Sequence, residues 1–135
     1  MGSIVGYMSL PGATVSADLS AKQYHAVKLS TTAPQVTNIS NGNTERPIGI
    51  LQDDPAVALE PCDVAVFGVC RAEAGGTITT GDSLSVNNDG ELITDVEQPT
   101  ASTIDLYHIA TAMQDAADGD IFDVLLHTPI LSGAE

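Results

Sequence analysis

The 135-residue chain has no tryptophan, two phenylalanines and three tyrosines, so aromatic side chains make up only 4% of it. Any core must therefore be filled by aliphatic residues. Basic residues are scarcer still. Four Lys+Arg stand against 18 Asp+Glu, a formal net charge of −14. This excludes binding to a phosphate backbone, which needs cationic side chains to displace counterions, and an acidic sheath also repels anionic membrane. No run approaches the ~20 consecutive apolar residues of a membrane helix. The opening MGSIVGYMSLPGATVS has no basic region ahead of an apolar stretch and does not read as a signal peptide. Cysteine is sparse too. Cys62 and Cys70 lie eight positions apart; on one extended strand, rising ~3.3 Å per residue, that is beyond disulfide reach. Two buried free thiols in a protein made in a reducing compartment are expected. Neither has a CxxC partner, so a thiolate zinc site is not indicated.

What is abundant is β-branched. Eleven valines, ten isoleucines and thirteen threonines fit a pleated surface better than a helix. Charged residues are only 16% and apolar ones 43%, which argues for a packed domain rather than a disordered chain.

Turn signals divide the chain into short strands. Ser16 and Asp18 in SADLSAKQY offer caps for a single helical turn. YHAVKLS alternates, with His25, Val27 and Leu29 on one face. QVTNIS, PIGIL and DVAVFGVCRAEA follow, the last being the longest strand candidate and apolar enough to predict burial on both faces. In AGGTITTGDSLSVNNDGELI, the glycines and Asn-Asn-Asp-Gly punctuate TIT, SLSV and ELI; positive φ at such positions makes tight hairpins. Residues 95–105 read as a polar loop. TAMQDAA allows a helical turn, and in IFDVLLH the side chains of Phe122, Val124 and Leu126 share a face. Roughly eight to ten strands with turns every ~8–12 residues predict a mainly β fold, a single small barrel or sandwich with at most one or two short helices.

No constellation indicates catalysis. His25, His108 and His127 are scattered, no G-x-S-x-G is present, and Asp53-Asp54 and Asp118-Gly119-Asp120 sit in turns where aspartate caps the backbone. NNDGE at 87–91 carries oxygen ligands but lacks the order of an EF-hand loop, so a hairpin is expected there and no metal. Neither GxGxxG nor a P-loop is found, so no nucleotide cofactor is expected. VCRAEAGGTITTGDSL echoes the swinging-arm carrier domains, but Lys22 and Lys28, the only lysines, lie far upstream of it.

Three phrases in combination carry a resemblance: SADLSAKQYHAVKLS; IGILQDDPA with CDVAVFGVCRAEAGGTITTGDSLSVNNDGELI; and IATAMQDAADGDIFDVLL. Over residues 16–128 the chain resembles the capsid cement, or decoration, proteins of tailed bacteriophages. It departs from that pattern at Ala110-Thr111, where a glycine is usual, and in the length of the 95–105 loop. The resemblance implies a β-barrel or β-tulip-like domain spanning 16–135, without enzymatic activity. It implies a homotrimer on the outer surface of the virion head, with the major capsid protein as partner and neither nucleic acid nor membrane. A virion surface module, such as a fibre base or a host- or glycan-binding head protein, is the alternative.

Residues 1–15 lie outside the shared pattern and read as an N-terminal arm broken by Gly2, Gly6, Pro11 and Gly12. Ile4, Val5, Tyr7, Met8 and Leu10 are its sizeable apolar side chains, each worth roughly 1.5–3 kcal/mol when buried. They are the candidate contacts to the capsid or a neighbouring protomer. An ordinary first strand at the sheet edge is the other reading of this segment.

Overall fold

The computed structural model describes residues 5–32, 34–42, 44–94 and 106–132. Ten strands form the fold: β1 Gly6–Ser9, β2 Thr14–Val15, β3 Ala26–Leu29, β4 Gln35–Asn38, β5 Gly49–Leu51, β6 Val64–Glu73, β7 Ser83–Val86, β8 Leu92–Thr94, β9 Leu106–Ala112 and β10 Ile121–Ser132. A single 3₁₀ turn at Ser20–Lys22 is the helical content among the described residues. Its entry is fixed by Asp18, whose Oδ1 accepts hydrogen bonds from the Ser20 amide at 2.9 Å and the Ser20 hydroxyl at 2.7 Å. TAMQDAA forms no helix; it is the bend that leads β9 towards β10, bridged at Ala116 to Ile78. TIT is reduced to that same isolated bridge.

The strands form one sheet in the order β2-β4-β3-β5-β6-β10-β9-β7-β8, with β1 paired to β6 off this path. All pairs are antiparallel except β2 with β4. The mainly β expectation holds, but a barrel closed by strand pairing does not form among the described residues. The sheet instead bends until its distant parts touch. Although five strands separate β3 from β8 in the order, the Ala26 amide donates to the Gly90 carbonyl at 2.7 Å and the Gly42 amide to the Asn88 side chain at 2.9 Å.

At the centre of the sheet lies β6. Its start pairs with β5, its middle with β1 and its last six residues with β10. Two apolar clusters lie to either side. The larger contains Ile50, Cys70, Leu84, Leu92, Phe122 and Val124; the smaller contains Val15, Leu19, Val27, Val36, Leu51 and Val64. Burying Phe122, Val124 and Leu126 follows from the alternation in IFDVLLH. The strand that follows is longer than that phrase, and β10 with twelve residues exceeds the ten of β6. β6 is not covered on both faces either, since Phe67 is 53% exposed. Leu29 departs from the same-face reading in a similar way: His25 and Val27 are buried, whereas Leu29 is exposed at the end of β3.

The described residues before Ser16 pack on the rest of the sheet. Ala13 and Val15 are buried in the smaller cluster, and Gly6–Ser9 pairs along β6. Close approach of β1 depends on Gly68, which has φ +109°; a Cβ there would lie 2.5 Å from the Gly6 carbonyl oxygen. Both cysteines are free, Cys70 buried and Cys62 half-buried. Burial pushes the Cys70 thiol up to about 12 and the Cys62 thiol to about 11, the latter helped by Asp53 and Asp63.

Candidate functional site

Two places in the molecule carry more than packing. The first is the face around β1. Val5 and Met8 are 42% and 65% exposed, and Met8 is the cross-strand partner of the exposed Phe67. Tyr7 is half-buried against the larger cluster and Leu10 against the smaller. Ile4 lies outside the described residues. The strand is held by its backbone and by Asp63, which accepts a hydrogen bond from the Tyr7 hydroxyl and another, at 2.7 Å, from the Ser9 hydroxyl. Burial and then the Asp63 carboxylate push the Tyr7 hydroxyl up to about 12. β1 therefore spends its side-chain hydroxyls on Asp63 and leaves Met8 in solvent.

Beside it runs a groove of about 750 Å³, lined by Leu10, Leu29, Pro47, Ile48, Val66 and Phe67, with Lys28, Glu45 and Arg46 at its polar side. Lys28 and Glu45 form an ion pair there. Burial raises the Glu45 carboxyl, but Lys28, the amides of Ser40 and Asn41 and the Ser40 hydroxyl outweigh it and hold the group at about 2. Phe67, Leu29 and Val66 were not among the contact residues expected from sequence. Their apolarity was visible, but it read as core.

The second place is where the bent sheet meets itself. His25, just before β3, is 7% exposed. Its Nδ1 lies 2.9 Å from the Asp89 carbonyl oxygen and its Nε2 lies 3.2 Å from Glu73 Oε1. Glu91 joins them, and one ligand atom from each of the three falls within 4.8 Å of the others. Burial and the adjoining Glu91 carboxyl push Glu73 above its ordinary value, although His25 pulls the other way. The geometry is rigid: the Glu73 amide donates to the Tyr24 carbonyl at 2.9 Å, and Tyr24 itself takes φ 68°. Asn87 braces Glu91 by accepting its amide hydrogen bond and donating to its carboxylate, both at 3.0 Å.

The other groups weighed from sequence do not converge. His108 lies 3.0 Å from the Ser83 hydroxyl. Asp53 accepts the Asp63 amide at 3.1 Å, tying its loop to the start of β6, and Asp120 caps its turn by accepting the Ala117 amide at 2.9 Å. The 87–90 turn is the expected hairpin, with the Asn87 side chain accepting the Asp89 amide at 2.9 Å.

An open, bent, ten-stranded sheet with a single 3₁₀ turn among its described residues defines a small all-β module. No family model matches the chain, and no curated protein matches it in sequence. In fold it is similar to the N base of head fiber gp8.5 of bacteriophage phi29, with a TM-score of 0.56 and 12% identity, over 87% of this chain and 93% of that one.

Proposed function

We propose that this chain is a structural, non-catalytic protein of a bacteriophage virion, seated on the outside of the head. The observation that carries this is the likeness to the phi29 head fiber base across nearly the whole of both chains, in agreement with the sequence resemblance to tailed-phage cement proteins. The finer reading is a cement protein, acting as a homotrimer against major capsid subunits. Its support is the apolar face of β1 and β6, where Met8, Phe67 and Val5 stand in solvent beside the groove. Clusters of this kind on a chain otherwise rich in acidic groups mark interaction surfaces. Cementing is then linkage: a ligand that binds the expanded shell better than its precursor stabilises that shell by the difference.

A fibre base is the second reading, favoured by the identity of the similar structure itself. Heads lacking the protein, mixed with the purified chain, separate the two. A cement protein cosediments at many sites per head and raises the temperature at which the heads melt. A fibre base cosediments at few sites and leaves the melting temperature unchanged. Absence of cosedimentation overturns both, and selective binding to glycans or cells instead would make the chain a host-binding surface module.

A further inference from the structure

The arrangement around His25 has a polarity problem that a cation resolves. Nδ1 faces the Asp89 carbonyl oxygen at 2.9 Å. A carbonyl can only accept, so Nδ1 carries a proton. Nε2 then meets Glu73 in one of two forms, as the donor of an imidazolium–carboxylate pair or as a lone pair facing an acceptor. In the second form Nε2, Glu73 and Glu91 bring three acceptor groups to one half-buried point, the ligand atoms all within 4.8 Å of one another, and a metal cation between them satisfies all three.

We propose that His25 Nε2, Glu73 and Glu91 hold a divalent transition-metal cation of the zinc class, which staples the bent sheet where its distant parts meet. The donor set selects the metal. One imidazole nitrogen with two carboxylates suits Zn²⁺, Co²⁺, Ni²⁺ or Mn²⁺, whereas Ca²⁺ and Mg²⁺ prefer oxygen alone and softer ions prefer thiolate. The surroundings are those of a built ligand set. A backbone carbonyl holding the distal imidazole N–H fixes the tautomer and ring orientation, as outer partners of metal-bound histidines do. Asn87 performs the same service for Glu91 through its 3.0 Å amide contact to the carboxylate. Glu73 is anchored through its own amide to Tyr24, the residue next to His25, whose φ of 68° is uncommon for a side chain of that size.

The three ligands come from three segments, the residue before β3, the end of β6 and the residue before β8, of which the last two are joined only by the isolated Ala74–Leu92 bridge beside the site. Both glutamates are half-buried rather than sealed, so the ion has an entry path and room for water in its remaining positions. Bound metal would therefore close across the seam what the hydrogen-bonded ladder leaves open. Anything that binds the folded state and not the unfolded chain raises its stability by mass action.

The test uses the full, untagged chain, freed of metal by chelation and dialysis. Calorimetric titration with Zn²⁺ should give one saturable site, Co²⁺ should give visible d–d absorption that Zn²⁺ bleaches, and Zn²⁺ should raise the melting temperature. Glu91→Gln and Glu73→Gln keep the side-chain shape and should each weaken binding at least tenfold while the metal-free proteins still melt cooperatively. The glutamines are used first because His25→Gln changes a buried position whose loss can unfold the chain. No saturable Zn²⁺ binding by the wild-type chain overturns the proposal and leaves a shared proton as the cation. Wild-type affinity in either glutamine variant also overturns it, because the metal then lies elsewhere, for example at Cys62.

Discussion

Met8 stands directly across from Phe67 in the β1–β6 pair, and both side chains lie in solvent, 65% and 53% exposed. Directly paired residues project to the same side of a sheet, so the two form one apolar spot. Had it been core, truncation would cost several kcal/mol. As an exposed spot, Met8→Ser with Phe67→Ser should change stability by no more than about 0.5 kcal/mol per site. Thermal melts of the purified double variant should thus overlay the parent, while cosedimentation with heads falls at least tenfold. Melting well below the parent would show that the pair supports the fold.

Tyr7 and Asp63 set the alkaline limit of β1. The Tyr7 hydroxyl titrates at about 12 in the fold against an ordinary value of 10.0. Its protonated form is therefore favoured by folding: the contribution is complete below pH 10 and is lost as pH rises towards 12. Tyr7→Phe should cost about 0.5–1.5 kcal/mol near neutrality, the net worth of one hydrogen bond. It should also flatten stability against pH above 10. Hydrogen exchange at the Tyr7 to Leu10 amides, compared between parent and variant from pH 7 upward on a corrected scale, reads the effect where it arises.

Glu45 sets a limit at the acid end. Its folded value of about 2 lies below the ordinary 4.5. The stabilisation it supplies is present above pH 4.5 and disappears as pH falls through 2. Burial works against this shift, so the Lys28 ion pair and the loop amides are what sustain it. Glu45→Gln should lower stability by about 1–2 kcal/mol at pH 7, discounting the contact for its partial exposure. The variant should then lose less than the parent between pH 5 and pH 2. Equal acid slopes in urea melts of the two proteins would refute the assignment.

Alternation and turn chemistry made most of the sheet legible. IFDVLLH buries Phe122, Val124 and Leu126 because a period of two leaves no other way to satisfy the core. The 87–90 hairpin follows from residues that accept positive φ, and Gly90 does take φ +90°. Legibility failed where a local signal had a non-local meaning. DVAVFGVCRAEA is apolar on both faces, yet Phe67 looks outward; nothing in the string separates a residue buried in its own fold from one reserved for a partner. The His25 cluster was hidden for a different reason. His25 and Glu73 are 48 positions apart, and only the bend of the sheet brings NNDGE, noticed for its oxygens, against an imidazole. Turn spacing counts strands without saying whether the last one reaches the first.

The partner of β1 has a consequence in time. Tyr7 and Asp63 are separated by 56 positions, and a ribosome adding roughly 5–20 residues per second needs about 3–11 s to supply them. For that interval the strand made first has nothing to pair with. Val5, Tyr7, Met8 and Leu10 are exposed on the nascent chain, in a segment interrupted by Gly6, Pro11 and Gly12. A continuous β-forming run waiting so long would pair with its copies on neighbouring ribosomes, and proline and glycine are what prevent such runs from doing so. The breaks around β1 thus keep it single until β6 arrives.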